Sequence, residues 1–291
     1  MELRYRTAGS LLALAALVGA CGSGPTTSIA NSVHPTGSAA AATTTLSDAV
    51  SPNVSRRIDL AADLYLRQIG DGAYVITNAF TWNGVTWPGN SLLVQMADGT
   101  LVLAGTPWTP EATQAVLVWA KEQFGESSVA KMVAVDTGYH QDNLGGNAAL
   151  LAAGVPVYGS DLTVRLLAER GGPGIPPPNH VFPIADGLTL SFGNEEVRVI
   201  FPGPSQAPDK LAVYFPVRKL LFGSCMILSG DAPGNTADAD MAAWPTAIRK
   251  IEELPVDVVV PGHGDRLDPG LIQHTLDVLA QTHQGARATT R

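Results

Sequence analysis

The chain has 291 residues, of which 45% are hydrophobic and 15% are charged, enough for one large globular domain with a well-formed core. The formal net charge is -8, and lysine and arginine form no cluster along the sequence. This composition excludes a nucleic-acid surface, because phosphate binding needs concentrated positive charge. A small molecule is therefore the expected partner.

The first residues carry an export signal. Arg4 and Arg6 precede an apolar stretch at residues 11–18, which is too short to span a bilayer. The five residues Leu-Val-Gly-Ala-Cys that end at Cys21 resemble a bacterial lipobox. This resemblance implies a signal peptide at residues 1–20 and lipid attachment to Cys21. An ordinary cleaved signal is the alternative, and the protein is exported in both cases.

The next segment, residues 21–57, is predicted to be a tether. It consists largely of Ala, Thr, Ser, Gly and Pro, so it cannot bury enough apolar surface to offset its chain entropy. Gly22 and Ser23 after the cysteine differ from an inner-membrane retention signal, which begins with Asp. We expect attachment to the outer membrane, with the protein facing the periplasm.

The remaining domain, residues 58–285, alternates β-type runs with helical patterns. Strands are expected at residues 73–77, 91–96, 101–104, 131–135, 155–158, 188–192, 197–201, 211–215, 220–222 and 256–260. Helices are expected at residues 110–124, in a short segment that ends at 153, and at 161–170, 240–254 and 269–282. Strand-rich halves, each followed by helices, predict a layered α+β domain and not a doubly wound parallel sheet. No Gly-rich loop completes a dinucleotide-binding fingerprint.

Three residues at predicted strand ends or in the following loops offer metal-ligand chemistry. They are the carboxylate of Asp142, the thiolate of Cys225 and the imidazole of His263. Zinc accepts oxygen, sulfur and nitrogen donors in tetrahedral geometry, and three protein ligands leave one position open, as is typical of a catalytic site. Each residue alone is weak evidence, and an inert buried thiol is the alternative for Cys225. Together they predict one bound zinc ion.

Several motifs resemble one known family. The loop GYHQDNLGG at residues 138–146 resembles the His-x-His-x-Asp loop of the metallo-β-lactamase superfamily. Further motifs resemble its main di-zinc subclass of true β-lactamases, at residues 106–109, 201–204 with 208–209, 221–225, 234–235 with 244–245, and 261–264. The resemblance covers residues 58 to 279. It implies a four-layer αββα sandwich with the metal site at one edge of two facing sheets.

The two metal positions of that subclass differ in this chain. Where one zinc is held by three histidines, this sequence has Gly138, His140 and Gln206, which are interpreted as the remnant of a second metal site. Where the other zinc is held by Asp, Cys and His, all three ligands are present. With a single zinc, His140 or Asp142 is the candidate catalytic residue that accepts a proton from water.

Further departures concern groups around the metal. Gly105 stands where the subclass has an Asp that supports the metal site, and Leu228 stands where many members have a Lys that pairs with the carboxylate of the antibiotic. Asn235 resembles the substrate-binding Asn of the family. Trp82 and Trp87 lie where the family has a mobile flap over the substrate, and packing in the core or at a sheet edge is the alternative.

Three hypotheses on function follow. The first is a monomeric, single-zinc hydrolase that opens the β-lactam amide of antibiotics, with a weak or narrow, carbapenem-like range. The second, motivated by Leu228, is a hydrolase of the same fold that acts on another lactone, ester or amide. The third, motivated by Gly138 and Gln206, is a catalytically impaired zinc-binding lipoprotein.

Overall fold

The computed structural model describes residues 54–82, 84–172 and 174–289. The predicted signal peptide at residues 1–20, the lipidation site Cys21 and most of the predicted tether lie outside the described residues. Within the described part, two β-sheets face each other and carry helices on their outer sides.

The first sheet has eight strands, which are neighbours in chain order. They are β1 (Arg56–Ala61), β2 (Leu64–Gly70), β3 (Ala73–Trp82), β4 (Val85–Gln95), β5 (Leu101–Ala104), β6 (Met132–Val135), β7 (Val157–Ser160) and β8 (His180–Phe182). Neighbours are antiparallel from β1 to β5 and parallel from β5 to β8. Parallel neighbours need crossover connections, and helices follow β5, β6 and β7 in the chain.

The second sheet has five strands. They are β9 (Leu188–Phe192), β10 (Glu195–Ile200), β11 (Ala212–Phe215), β12 (Leu220–Ser224) and β13 (Val258–Pro261), in the spatial order β13-β12-β11-β10-β9. The pair β12 and β13 is parallel, and the other neighbours are antiparallel. The residues that follow β12 and β13 therefore emerge at the same edge of this sheet.

Six α-helices connect and cover the sheets within the described residues. They are α1 (Pro110–Phe124), α2 (Gln141–Leu144), α3 (Asn147–Ala152), α4 (Asp161–Arg170), α5 (Trp244–Glu252) and α6 (Leu271–Thr289). Thr109 caps α1 by accepting a hydrogen bond from the backbone N–H of Ala112 at 3.2 Å, and Ser160 caps α4 through Thr163 at 3.0 Å. These caps explain why the bounds of α1 and α4 agree with the sequence prediction.

Alternation along the strands produces the layers. The inner faces of the two sheets pack against each other through Val75, Leu92, Val94 and Val102 on one side and Val197, Val199, Val213 and Phe222 on the other. The outer face of the first sheet packs Tyr74, Leu93 and Leu103 against Val116 and Leu117 of α1. The outer face of the second sheet packs Leu221 and Val259 against Ile248 of α5 and Leu279 of α6. Each fully buried Val or Leu contributes about 1.5–3 kcal/mol. The predicted four-layer αββα sandwich is confirmed.

Three strands have no counterpart in the sequence prediction. β1 is mostly exposed, with only Ile58 and Leu60 partly buried, and β8 has only three residues. β2 is buried along most of its length but was also not predicted. The strands predicted at residues 73–77 and 91–96 extend towards each other as the long β3–β4 hairpin, across Gly and Pro residues that normally weaken a strand prediction.

The first strand and the last helix lie at the two ends of the predicted domain, residues 58–285. β1 begins at Arg56, within the segment predicted to be tether up to residue 57, and α6 continues to Thr289, beyond the predicted domain end at residue 285. In the described part of the chain, the helices are too short or too polar to cross a membrane.

Candidate metal centre

Asp142, Cys225 and His263 lie together although they come from three separate connections. Asp142 is in the first turn of α2, Cys225 directly follows β12, and His263 lies two residues after β13. The parallel pairing of β12 with β13 places Cys225 and His263 at one sheet edge. The structure therefore brings the predicted ligand set to a single point.

The donor atoms of this set fit a zinc ion. Cys225 Sγ lies 3.0 Å from Asp142 Oδ2 and 3.6 Å from His263 Nε2, and His263 Nε2 lies 3.1 Å from Asp142 Oδ2. Zinc bonds of about 2.0–2.3 Å in tetrahedral geometry place donor atoms about 3.3–3.6 Å apart, so small adjustments suffice. The side chain of His263 is 41% exposed and that of Asp142 is 9% exposed, which leaves the site open on the histidine side.

The imidazole of His263 is oriented by the backbone. Its Nδ1 lies 2.7 Å from the carbonyl oxygen of Pro88 and donates its proton there, so Nε2 is the nitrogen available to a metal. The loop that carries His263 is itself anchored by Asn90, whose Nδ2 donates to the carbonyls of Pro261 at 3.1 Å and Gly264 at 2.8 Å. The β4 strand thus holds the histidine ligand in place.

Close backbone contact sets the distance between the cysteine and histidine loops. The N–H of Gly262 donates to the carbonyl of Ser224 at 2.7 Å. A Cβ atom at residue 262 would lie 2.6 Å from the backbone nitrogen of Cys225, which is closer than real Cβ contacts. A glycine is therefore required for this approach.

Asn143 holds the other two ligands. Its Nδ2 donates to Asp142 Oδ1 at 2.5 Å and lies 3.8 Å from Cys225 Sγ. Its Oδ1 accepts hydrogen bonds from Ser224 Oγ at 2.6 Å and Thr137 Oγ1 at 2.8 Å. Asn143 is buried, so this network fixes the carboxylate and the thiol relative to each other.

The charges in the set favour a cation between the donors. Burial acts to raise the pKa of Asp142, but the charges of Lys210 and His263 outweigh it and hold that pKa below its usual range. Burial acts to lower the pKa of His263, but Cys225 and Asp142 raise it well above its usual value. A donor set that attracts positive charge in this way suits a divalent metal.

Comparison with known proteins identifies the family. Residues 85–263, more than half of the chain, match the model of the metallo-beta-lactamase superfamily. The chain belongs to this superfamily. It is 30% identical over 221 residues to metallo-beta-lactamase type 2 from Bacillus sp. (strain 170), covering 74% of this chain and 81% of the relative. It is 30% identical over 234 residues to metallo-beta-lactamase type 2 from Bacteroides fragilis, covering 78% and 89% respectively.

Solved structures agree with this assignment. A metallo-beta-lactamase from Pontibacter korlensis is 35% identical and superposes with a TM-score of 0.66, covering 75% of this chain and 99% of that one. A metallo-beta-lactamase from Erythrobacter litoralis is 26% identical with a TM-score of 0.66, covering 78% and 100%. The relatives support a zinc hydrolase of the metallo-beta-lactamase superfamily.

In the predicted remnant of the second metal site, the side chains of His140 and Gln206 bond to other protein groups. His140 lies at the start of α2, where its Nε2 is 3.0 Å from Asp238 Oδ2, and the hydroxyl of Tyr139 donates to the same oxygen at 2.6 Å. Gln206 is buried and donates from Nε2 to the carbonyl of Asn235 at 3.0 Å, while its Oε1 has no hydrogen-bond partner among the described residues. Neither side chain is part of the Asp-Cys-His cluster.

Burial and neighbouring groups also shift the pKa values of His140 and Tyr139. Burial, followed by the charge of Lys210, lowers the pKa of His140 below its usual value. Burial and the hydrogen bond to Asp238 raise the pKa of Tyr139 to about 12. His140 is therefore a neutral imidazole near neutral pH, as a proton acceptor must be. The catalytic roles of His140 and Asp142 stay predictions.

The structure shows what surrounds the two other departures from the family. A Cβ atom at Gly105 would lie 3.2 Å from the ring of Phe222, so an acidic side chain has little room there. Leu228 is only 8% exposed and belongs to the core beneath α5 and α6. An apolar side chain at residue 228 is thus explained by packing.

Among the described residues, Asn235 and Trp87 make no hydrogen bond to Asp142, Cys225 or His263. Asn235 is exposed, and its Oδ1 accepts a hydrogen bond from its own loop at Ala237 N, 3.1 Å away. Trp87 is 42% exposed on the β3–β4 hairpin, which excludes core packing for it. Trp82 ends β3, and its side chain is not among those described. Substrate binding by these residues stays a prediction.

Sequence reasoning assigned no role to three residues that the structure places in or beside the site. Asn143 lies in the loop at residues 138–146, and the structure shows that its amide contacts both Asp142 and Cys225. Asp238 lies in a polar loop that carries no local signal of its pairing with His140. Lys210 precedes an apolar strand, a position that normally indicates a surface residue, yet it is completely buried.

Proposed function

We propose that this protein is a zinc-dependent hydrolase that opens the β-lactam amide of antibiotics with a single zinc ion held by Asp142, Cys225 and His263. The observation that carries the proposal is the set of three converging donor atoms, all within 4.8 Å of one another, in a member of this superfamily. The relatives named metallo-beta-lactamase type 2 support the choice of substrate class.

A zinc ion held by Asp142, Cys225 and His263 would supply Lewis-acid chemistry for opening the amide. The chain's own residues supply the rest. Asp142 stays ionised beside Lys210 and His263 and acts as a ligand. The neutral ring of His140 donates from Nε2 to Asp238, which leaves Nδ1 as the acceptor of a proton from the attacking water. Trp87 on the hairpin covers the apolar part of the substrate.

A carbapenem hydrolysis assay tests the proposal. The purified protein is expected to turn over a carbapenem with zinc supplied, to lose turnover with a chelator, and to regain it when zinc is returned. Absence of turnover by folded protein that holds zinc would refute the proposal. His283→Ala is a suitable control, because His283 is exposed and bonds only the carbonyl of Met241 among the described contacts.

Burial of Leu228 in the core favours a second candidate, hydrolysis of another lactone, ester or amide. With a buried leucine at residue 228, that position offers no cation to a substrate carboxylate. Turnover of uncharged lactones or esters in the same zinc-loaded preparation, without turnover of β-lactams, would select this candidate.

We also propose that the protein is exported and anchored by lipid at Cys21, facing the periplasm from the outer membrane, and that the domain acts as a monomer. Labelled fatty acid should be incorporated into the full chain and not into the Cys21→Ser variant. Equal labelling of both proteins would contradict the anchor. A single species of monomer mass in sedimentation is expected for the Cys21→Ser variant, and a dimer would contradict the monomer.

A further inference from the structure

Lys210 is a fully buried lysine beside the metal centre. It has 0% exposure and immediately precedes Leu211 and the β11 strand. Its Nζ is buried, makes no hydrogen bond to an oxygen atom among the described residues and lies beside the side chain of Cys225. An ammonium group without hydrogen bonds is costly to bury, so it persists only where other groups compensate its charge.

The compensating charges are those of the metal centre and a neighbouring carboxyl. The charges of Cys225, Asp142 and Asp209 act on the buried ammonium group of Lys210. Asp209 is itself fixed, because its Oδ2 accepts from the backbone N–H of Tyr139 at 2.8 Å and from Thr163 Oγ1 at 2.9 Å. The ammonium thus stands among anionic groups, as a metal ion would.

The side chain of Lys210 occupies the space beside Gly138. A Cβ atom at residue 138 would lie 3.0 Å from both Cδ and Nζ of Lys210 and 3.3 Å from Cε. Residue 138 is one of the three positions at which the resemblance places a ligand of the second metal. The lysine side chain therefore fills the space that a ligand side chain at residue 138 needs.

We propose that the ammonium group of Lys210 takes the place of a second metal ion, so that this site combines one zinc ion with one built-in cation. The inference rests on the proposed single-zinc function and extends it to a residue outside the ligand set. Lys210 is a positioning residue: its charge compensates the negative charge of Asp142, and its volume prevents a second ion from binding. Loss of the histidines at residues 138 and 206 then leaves no uncompensated anionic cavity.

Restoring the missing histidine ligands tests whether Lys210 excludes a second zinc ion. Gly138→His with Gln206→His rebuilds a three-histidine set with His140, and zinc per chain is measured by mass spectrometry after gel filtration. We expect one equivalent for the original protein, one for this double variant, and two for the triple variant that also carries Lys210→Ala. With cobalt in place of zinc, we expect an additional visible absorption band only in the triple variant.

Removing the charge while keeping the volume tests the electrostatic part. Lys210→Met is expected to bind the single zinc about tenfold more tightly or more, because the repulsion between ammonium and metal is lost. Lys131→Met is the matched control, since Lys131 is exposed before β6, and it should leave the affinity unchanged. A lysine that only fills space would give equal zinc affinities in the Lys210→Met and original proteins, which would overturn the proposal.

The outcomes separate this inference from the proposed function. Two zinc equivalents in the double variant with Lys210 in place would overturn the inference and leave single-zinc hydrolysis by the original protein untouched. A one-zinc protein that fails to hydrolyse any β-lactam would contradict the proposed function, while the metal counts would still support the inference. If the double variant is unfolded by circular dichroism, the affinity comparison between Lys210→Met and Lys131→Met decides alone.

Discussion

The two halves of the candidate metal centre share a loop but differ in the groups that occupy them. In one half, the donor atoms of Asp142, Cys225 and His263 lie within 4.8 Å of one another. In the other, Gly138 offers no donor and His140 is held by Asp238. Both halves lie on the same sandwich, so we expect the side chains, and not the backbone, to set how many metal ions bind. In our proposal, Lys210 fills one of the two positions.

The largest expected effect comes from removing the thiolate from the intact half. Cys225→Ser should reduce bound zinc from one equivalent to almost none and lower any hydrolytic turnover by about a hundredfold or more, because a serine hydroxyl is a poor zinc ligand. Zinc content measured by mass spectrometry checks this. Met226→Leu is the matched control, since Met226 is a buried neighbour whose replacement keeps the volume. If Cys225→Ser still bound one zinc ion, the metal site would have to lie outside the intact half.

The next effect concerns the residue that holds two ligands of the intact half. Asn143→Ala leaves Ser224 and Thr137 without their shared acceptor and Asp142 without its donor. The free energy of unfolding should fall by about 3 kcal/mol, as for other broken buried networks, and zinc affinity should fall about 10- to 100-fold. Urea unfolding and competition with a zinc-binding dye measure the two quantities.

Thr282→Ala is the control for Asn143→Ala, because Thr282 bonds only a carbonyl of its own helix among the described contacts, and it should lower stability by less than about 1 kcal/mol. If Asn143→Ala lost stability while zinc affinity stayed unchanged, Asn143 would support the fold and not the ligands.

The sequence predicted the intact half (Asp142, Cys225 and His263) more completely than the altered half (Gly138, His140 and Gln206). Donor type, position in loops after strands and the family resemblance together selected Asp142, Cys225 and His263, and the parallel pairing of β12 with β13 brings two of them together. Lys210 could not be found in this way, because its role depends on the space beside Gly138, which is distant in sequence. The same holds for Asp238, which meets His140 across 98 residues of chain. Periodicity indicates strands and helices, but contacts between distant loops leave no local pattern.

A smaller effect is expected from the pair that orients His140. Asp238→Asn keeps the shape but removes the charge that bonds His140 Nε2, so we expect kcat to fall about tenfold while zinc content and zinc affinity stay the same. Tyr139→Phe removes the other hydrogen bond to the same oxygen and should affect kcat less. A change in zinc content with Asp238→Asn would show that the altered half still contributes to metal binding.

The smallest expected effect tests backbone strain within the intact half. Ser224 precedes the cysteine ligand with a φ of 49°, a left-handed conformation that favours glycine, and its Oγ donates to Asn143. Ser224→Gly and Ser224→Ala both lose this hydrogen bond, but only glycine relieves the strain. Ser224→Gly should therefore unfold with a free energy about 0.5–1 kcal/mol greater than Ser224→Ala in zinc-free urea titrations.

The same pair of substitutions at Ser191, an exposed residue of β9, supplies the reference for Ser224. There alanine should be the more stable variant, because glycine in an ordinary strand loses more conformational entropy on folding. A reversed order at residue 224 alone would show that the intact half holds its cysteine on a strained backbone. The same order at both positions would mean that the hydrogen bond to Asn143, and not the backbone conformation, governs the contribution of Ser224 to stability.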